Sequence, residues 1–277
     1  MYVPFRRSLA VAFASALALA PGLAAAGETL DRVMSRGSLI MSTDPEYPPQ
    51  SSLNAENEFI GFDIDVGTEI ARRMGVEIEF VTPSWDVITA GNWSGRWDMS
   101  VGSMTPTKAR AEVLNFPAIY YYTPAALVVH EENTAIDSVE AASGTSIGVG
   151  VATTYENYLN AALEIDAVGA PSFEYRVSDA DIRTYDTDTL ALDDLRLGDG
   201  VRLDAVVTAL PTAMGAIEAG YPLKIVGDPL FLEPLSVATD KGDEAFDTRI
   251  AEIVKEMHAD GTLTALSEKW YGADLTQ

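Results

Sequence analysis

Strand-like and helix-like stretches alternate along most of this 277-residue chain, which restricts it to the α/β class. Ser38-Leu39-Ile40-Met41-Ser42-Thr43 reads as a short buried strand, closed by the turn signals Asp44-Pro45 and Pro48-Pro49. Phe62 leads into a helix through Arg73, with Val66, Ile70 and Met74 on one face and Gly75 as its stop. Strands are predicted at 76–81 and 99–104, and a long one at 119–129. A strand at 146–151 precedes a helix from Thr153 to about Leu163, opened by a capping box with Glu156. A short helix at 191–197, a strand at 203–207, a helix at 213–219 and short strands at 224–226 and 236–238 follow. The last helix sets Phe246, Ile250, Ile253 and Met257 on one face and breaks at Gly261. Such alternation predicts mostly parallel strands. The stretch 166–200 is polar, acidic and irregular.

One run carries chemistry. From Trp97-Asp98 an apolar strand passes through Gly102, Ser103 and Met104, and Thr105-Pro106 are expected to open a helix holding Arg110. Exposed N–H groups, hydroxyls and a guanidinium this close together form a receptor for a carboxylate, since the planar guanidinium fork matches two carboxylate oxygens.

Composition narrows the partners. A formal charge of −24 makes nucleic acid and anionic membranes poor ones. The 47% apolar content is that of a folded protein. Residues 1–26 read as a signal peptide: Arg6 and Arg7 form a basic region, Leu9 to Ala20 an apolar one too short to span, and Ala24-Ala25-Ala26 a cleavage site. With no cysteine there is neither a disulfide nor a lipid-anchor site. The expectation is a soluble, exported protein of the periplasm. Asp186-Thr187-Asp188 lacks the glycine and terminal glutamate of a calcium loop and is expected to be a solvated loop. No metal and no cofactor are expected.

In order along the chain stand Asp44-Pro45-Glu46-Tyr47-Pro48-Pro49, Gly61-Phe62-Asp63-Ile64-Asp65, Asp98 through Thr105-Pro106-Thr107 to Arg110, and Phe116-Pro117. Then come Gly148-Val149 with Thr153-Thr154-Tyr155, Leu203-Asp204-Ala205-Val206-Val207, and Asp260-Gly261-Thr262 with Lys269-Trp270-Tyr271-Gly272. In that order the pieces resemble family 3 of the periplasmic solute-binding proteins, the amino-acid receptors of ABC importers. The resemblance implies an α/β, two-lobed type II periplasmic-binding-protein fold, with two hinge strands and a ligand cleft between the lobes. Lobe 1 would take 27–123 and 231–277, and lobe 2 would take 124–230. It also implies a monomeric receptor that closes on a small carboxylate-bearing solute and docks on a membrane permease.

The resemblance places Arg110 on the ligand carboxylate, Gly102, Ser103 and Thr105 on the ammonium and carboxylate, and Thr154 on the carboxylate from the other lobe. Thr105 could instead be only the helix cap, and the two roles are compatible. Tyr47 and Trp85 match aromatic positions that sandwich the ligand side chain, and Asp44 one that reaches a polar side chain. One departure stands out. The position that holds an ammonium-binding aspartate in amino-acid receptors is Ala209 here. Either the ligand lacks a free ammonium, or it is a quaternary or cyclic amine, or Asp186, Asp44 or Glu233 supplies the charge. Ala152 also replaces the usual glycine before the threonine pair. The competing function is an enzyme on the same scaffold, resembling cyclohexadienyl dehydratases, although His130 and His258 lie outside the matched site.

Overall fold

The computed structural model describes residues 28–277; the signal-peptide stretch lies outside them. Helix α1 (Glu28–Arg36) leads into β1 (Ser38–Ser42). A small antiparallel sheet follows, made of β2 (Glu46–Tyr47), β3 (Ser51–Leu53) and β4 (Phe59–Ile60). Next come α2 (Phe62–Met74), β5 (Glu77–Val81), α3 (Trp85–Thr89), β6 (Met99–Met104), α4 (Lys108–Ala111) and the long β7 (Leu114–His130). Then β8 (Ser146–Gly150), α5 (Thr154–Leu159), β9 (Asp181–Tyr185), α6 (Asp188–Leu195), β10 (Ala205–Ala209), α7 (Leu210–Glu218) and β11 (Leu223–Val226) succeed one another. The long β12 (Leu232–Asp240), α8 (Glu244–Ala259) and α9 (Thr262–Tyr271) complete the order. Among the described residues no helix is long and apolar enough to cross a membrane.

The main sheet runs β5-β1-β6-β12-β7-β10-β8-β9, with β11 also on β7. Pairing is mixed, which corrects the expectation of mostly parallel strands. Pairs β1–β5, β1–β6, β8–β10 and β8–β9 are parallel, while every pair made by β7 or β12 is antiparallel. Two long strands running in opposite directions through the middle of the sheet impose this. Strand β7 also changes partners partway. Up to Pro124 it pairs with β12, and from Ala125 onward with β10 and β11.

Two apolar cores flank that point. One gathers Leu39, Met41, Ile70 and Met99 with Phe246, Ile250, Ile253 and Met257 of α8. The other gathers Leu127, Val129, Ile147, Val149, Tyr158 and Val207. Phe62 anchors the first core, fully enclosed with its ring centroid 4.8 Å from Tyr121 and 5.1 Å from Tyr271. Truncating such a ring costs about 3–5 kcal/mol.

Local chemistry sets the ends of α2. A Cβ on Gly61 would stand 2.2 Å from the Gln50 carbonyl, so only glycine fits there. Gly75 adopts φ 76° and returns its N–H to the Ala71 and Arg72 carbonyls. Asp63 and Asp65 in the first turn and Arg72 and Arg73 in the last complement the helix dipole.

Candidate functional site

The cleft is built from four directions. From β6 come Gly102 and Ser103, then Thr105 just beyond the strand. Ser103 takes φ 54°, and its N–H donates to the Tyr120 hydroxyl at 2.9 Å. Its own hydroxyl donates to Asp63 at 2.7 Å and also meets the Tyr121 hydroxyl. Burial pushes the Asp63 carboxyl up to about 7, against the lowering effect of the Tyr120 and Ser103 hydroxyls. The sharp turn at Ser103 is thus held from behind by a fixed polar cluster.

Thr107, not Thr105, caps the short helix α4 by accepting from the Arg110 N–H at 3.2 Å. The expected start at Thr105-Pro106 is therefore two residues early, and the Thr105 side chain is free for the cleft. One turn on, the buried Arg110 guanidinium donates to the Thr105 carbonyl at 2.9 Å and to the Ala152 carbonyl at 2.8 Å. Its Cζ lies 5.4 Å from the Trp85 ring centroid. No carboxylate stands within 4 Å of it among the described residues. Burial lowers its pKa to about 10, opposed by the negative charge of Glu233, so it stays cationic at neutral pH.

The facing wall begins where β8 ends. Ala152 holds φ 58°, a conformation that favours glycine, and this turns its carbonyl toward Arg110 and toward the Trp85 Nε1, which donates at 3.3 Å. Thr153 caps α5 by accepting from the Glu156 N–H. Thr154 can therefore point inward. Helix α5 stops at Leu159, a turn short of expectation, because Ala161 takes φ 53°.

Glu233 of β12 stands between these walls with only 3% of its surface exposed. One carboxylate oxygen accepts from Thr105 at 2.8 Å and from Thr154; the other accepts from Tyr155 at 2.8 Å. All three donors are neutral hydroxyls. Burial raises its pKa, and the three hydroxyls and Arg110 oppose the rise.

The fourth side is Asp188, the first residue of α6. Thr187 caps that helix and Asp188 is buried at 6% exposure, so the expected solvated loop at 186–188 is instead a helix start that carries a buried carboxyl. The Thr208 hydroxyl donates to it at 2.6 Å. Burial raises its pKa to about 7, with Asp44 and Glu233 adding to the rise and the Thr208 and Gly150 donors opposing it.

These walls enclose a cavity of about 60 Å³, large enough for several waters or a small solute. Arg110, Thr105, Ser103, Gly102, Thr154, Tyr47, Trp85 and Asp44 all line it, and so do Asp186 and Glu233. His130 and His258 do not. Ala209 is fully enclosed in the second core and does not line the cavity. Bonds outside the cavity hold its two sides together: Gln50 to Thr212 at 3.2 Å, Thr189 to the Glu46 carbonyl at 2.8 Å, and the Asp166 N–H to the Pro106 carbonyl at 2.9 Å. Among the described residues no group of three or more His, Asp or Glu side chains is arranged to hold a metal.

The sequence profile of the bacterial extracellular solute-binding proteins, family 3, matches residues 39–273. The chain belongs to that family. Its relatives include the L-cystine-binding protein TcyJ of Escherichia coli (strain K12), 30% identical over 90% of this chain and 88% of that one. A mutant of ArgBP from T. maritima superposes with a TM-score of 0.76 at 26% identity, over 88% of this chain and 99% of that one. The ancestral amino acid-binding protein AncCDT-1, a precursor of cyclohexadienyl dehydratase, gives a TM-score of 0.74 at 30% identity over the same shares. The architecture of this family 3 protein is the two-lobed type II fold, with β7 as a long strand that pairs in both halves of the sheet.

Sequence reasoning missed Asp188, Tyr155 and Gly150 as cavity residues. A signal for Asp188 was present. With Thr187 as a cap, Asp188, Leu192 and Leu195 fall at i, i+4 and i+7, which is the buried face of α6.

Proposed function

We propose that this family 3 protein is the periplasmic receptor of an ABC importer for an amino acid or amino-acid-like solute. One observation carries the reading. Arg110 is a buried guanidinium at the cavity wall, bonded among the described residues only to neutral carbonyls, and so keeps its charge available for a ligand carboxylate. Thr105 and Thr154 stand on either side of it, Tyr47 and Trp85 provide apolar walls, and Gly102 lets a solute approach the strand. The names of the relatives, which bind cystine and amino acids, support the same class. We take lobe 1 as 27–123 and 231–277 and lobe 2 as 124–230, a division supported by the change of partners at Pro124. In this reading the first 26 residues direct export, and a monomer closed on its solute docks on the permease.

A thermal-shift screen tests it. The panel holds the common L-amino acids, L-ornithine, L-cystine, betaines, ectoines, opines and simple carboxylates. At a hundred times its Kd a ligand adds about 2.7 kcal/mol to apparent stability, so a true ligand gives an unmistakable rise in Tm. A panel in which no carboxylate-bearing solute shifts Tm overturns the receptor reading.

A second reading draws on one feature. Asp188 and Glu233 are buried carboxyls whose pKa burial raises, Asp188 to about 7, the direction a general acid requires. A dehydratase of the cyclohexadienyl type would turn over prephenate or arogenate, whereas a receptor leaves both unchanged.

A further inference from the structure

We propose that Asp188 receives the ammonium group of the bound solute, so that the ligand is a zwitterion spanning Arg110 and Asp188 rather than a carboxylate without a cation. The proposal rests on the receptor reading above and deepens it.

The argument starts from charge. Of the side chains lining the cavity, Arg110 is the one cation among the described residues, while Asp44, Asp186, Asp188 and Glu233 are acids. An anion alone would enter a cavity already rich in negative charge. A solute that brings a cation as well finds both ends of itself matched.

Of the four acids, Asp188 is the one built for that cation. Asp186 is exposed at the rim, and the Asp44 carboxylate accepts from the Glu46 N–H within its own turn. Glu233 already gathers three hydroxyls. Asp188 is enclosed, forms no ion pair among the described residues, and has two donors, the Thr208 hydroxyl and the Gly150 backbone N–H. A carboxylate has about four lone-pair directions, so acceptor capacity remains on the cavity side.

The neighbouring backbone makes room for this carboxyl. A Cβ on Gly150 would stand 2.6 Å from an Asp188 oxygen, so glycine is required for the carboxyl to sit against the end of β8. Thr208 fixes its other oxygen from β10, one residue before Ala209. A carboxylate is thus delivered from α6 beside the strand position where the sequence lacks one. A buried, unpaired carboxylate is costly to keep in a fold, and an arriving ammonium removes that cost.

The test uses the purified full chain, Asp188→Asn, and calorimetry with the amino acid that gives the largest Tm shift. Asparagine is isosteric and still accepts from Thr208. Binding of that amino acid falls by at least a hundredfold in Asp188→Asn, while its deaminated analogue binds both proteins within threefold of each other. The wild type itself binds the deaminated analogue at least a hundredfold more weakly than the amino acid, a comparison that needs no variant. An amino acid that binds Asp188→Asn as tightly as wild type overturns this proposal and leaves the receptor reading standing. So does a wild type that prefers the deaminated analogue. If wild type binds no amino acid and no other carboxylate, both fall.

Discussion

The two ends of the cleft solve the same problem with opposite charges. At one end a guanidinium is buried on two carbonyls; at the other a carboxyl is buried on a hydroxyl and a backbone N–H. Among the described residues neither has an ion-pair partner, and dipoles are their permanent partners. Had Arg110 and Asp188 met, they would have neutralised each other and left nothing to bind a zwitterion. The ends differ in their response to protons. The arginine, at about 10, stays charged throughout the physiological range, while the aspartate, at about 7, does not.

The comparison breaks first at its stronger end. Arg110→Ala should keep the fold, checked by circular dichroism, and lose about 2–5 kcal/mol of solute affinity by calorimetry, as when one partner of a buried charge pair is truncated. Unchanged affinity would remove Arg110 from the site. The next effect sharpens the contrast. Asp188 must be ionised to hold an ammonium, and bound cation would lower its pKa, so affinity is full above about 7 and falls as pH drops below it. Expect several-fold weakening from pH 7 to 6 and about tenfold, or 1.4 kcal/mol, for each unit further down. Facing Asp188 are Asp44 from the loop after β1, Glu233 from β12 and Thr208 from β10. Asp188→Asn should flatten this slope, and a slope that survives the substitution would assign it to Asp44 or Glu233. The smallest effect is at Ala152. Relief of its left-handed backbone in Ala152→Gly should raise stability by up to about 1 kcal/mol in urea unfolding, with solute affinity unchanged. A loss of affinity would mean that the alanine itself shapes the arginine end.

The arginine end was readable because it is contiguous. Strand β6, the turn and Arg110 lie within a dozen residues, and local chemistry orders them. The aspartate end is assembled from β8, α6 and β10, so its geometry exists only once the sheet has formed. Asp188 in a run of polar residues looks like a solvated loop, and only the helical spacing to Leu192 and Leu195 hints otherwise. The long strands were hidden for another reason. Pro117 within β7 and Pro234 within β12 are local strand breakers, so short windows saw only 119–129 and 236–238. Pairing between the two strands overrides that signal, with register shifts near Leu235–Ser236 and Val237–Thr239. Strand β9 was missed because its burial is slight and its sequence polar.

Glu233 has a consequence of its own. Its three hydroxyl donors come from opposite walls, Thr105 from one and Thr154 and Tyr155 from the other. Any motion that parts those walls must break at least one of these bonds and bring water to the carboxyl, so this one side chain acts as a rivet through both faces of the cleft.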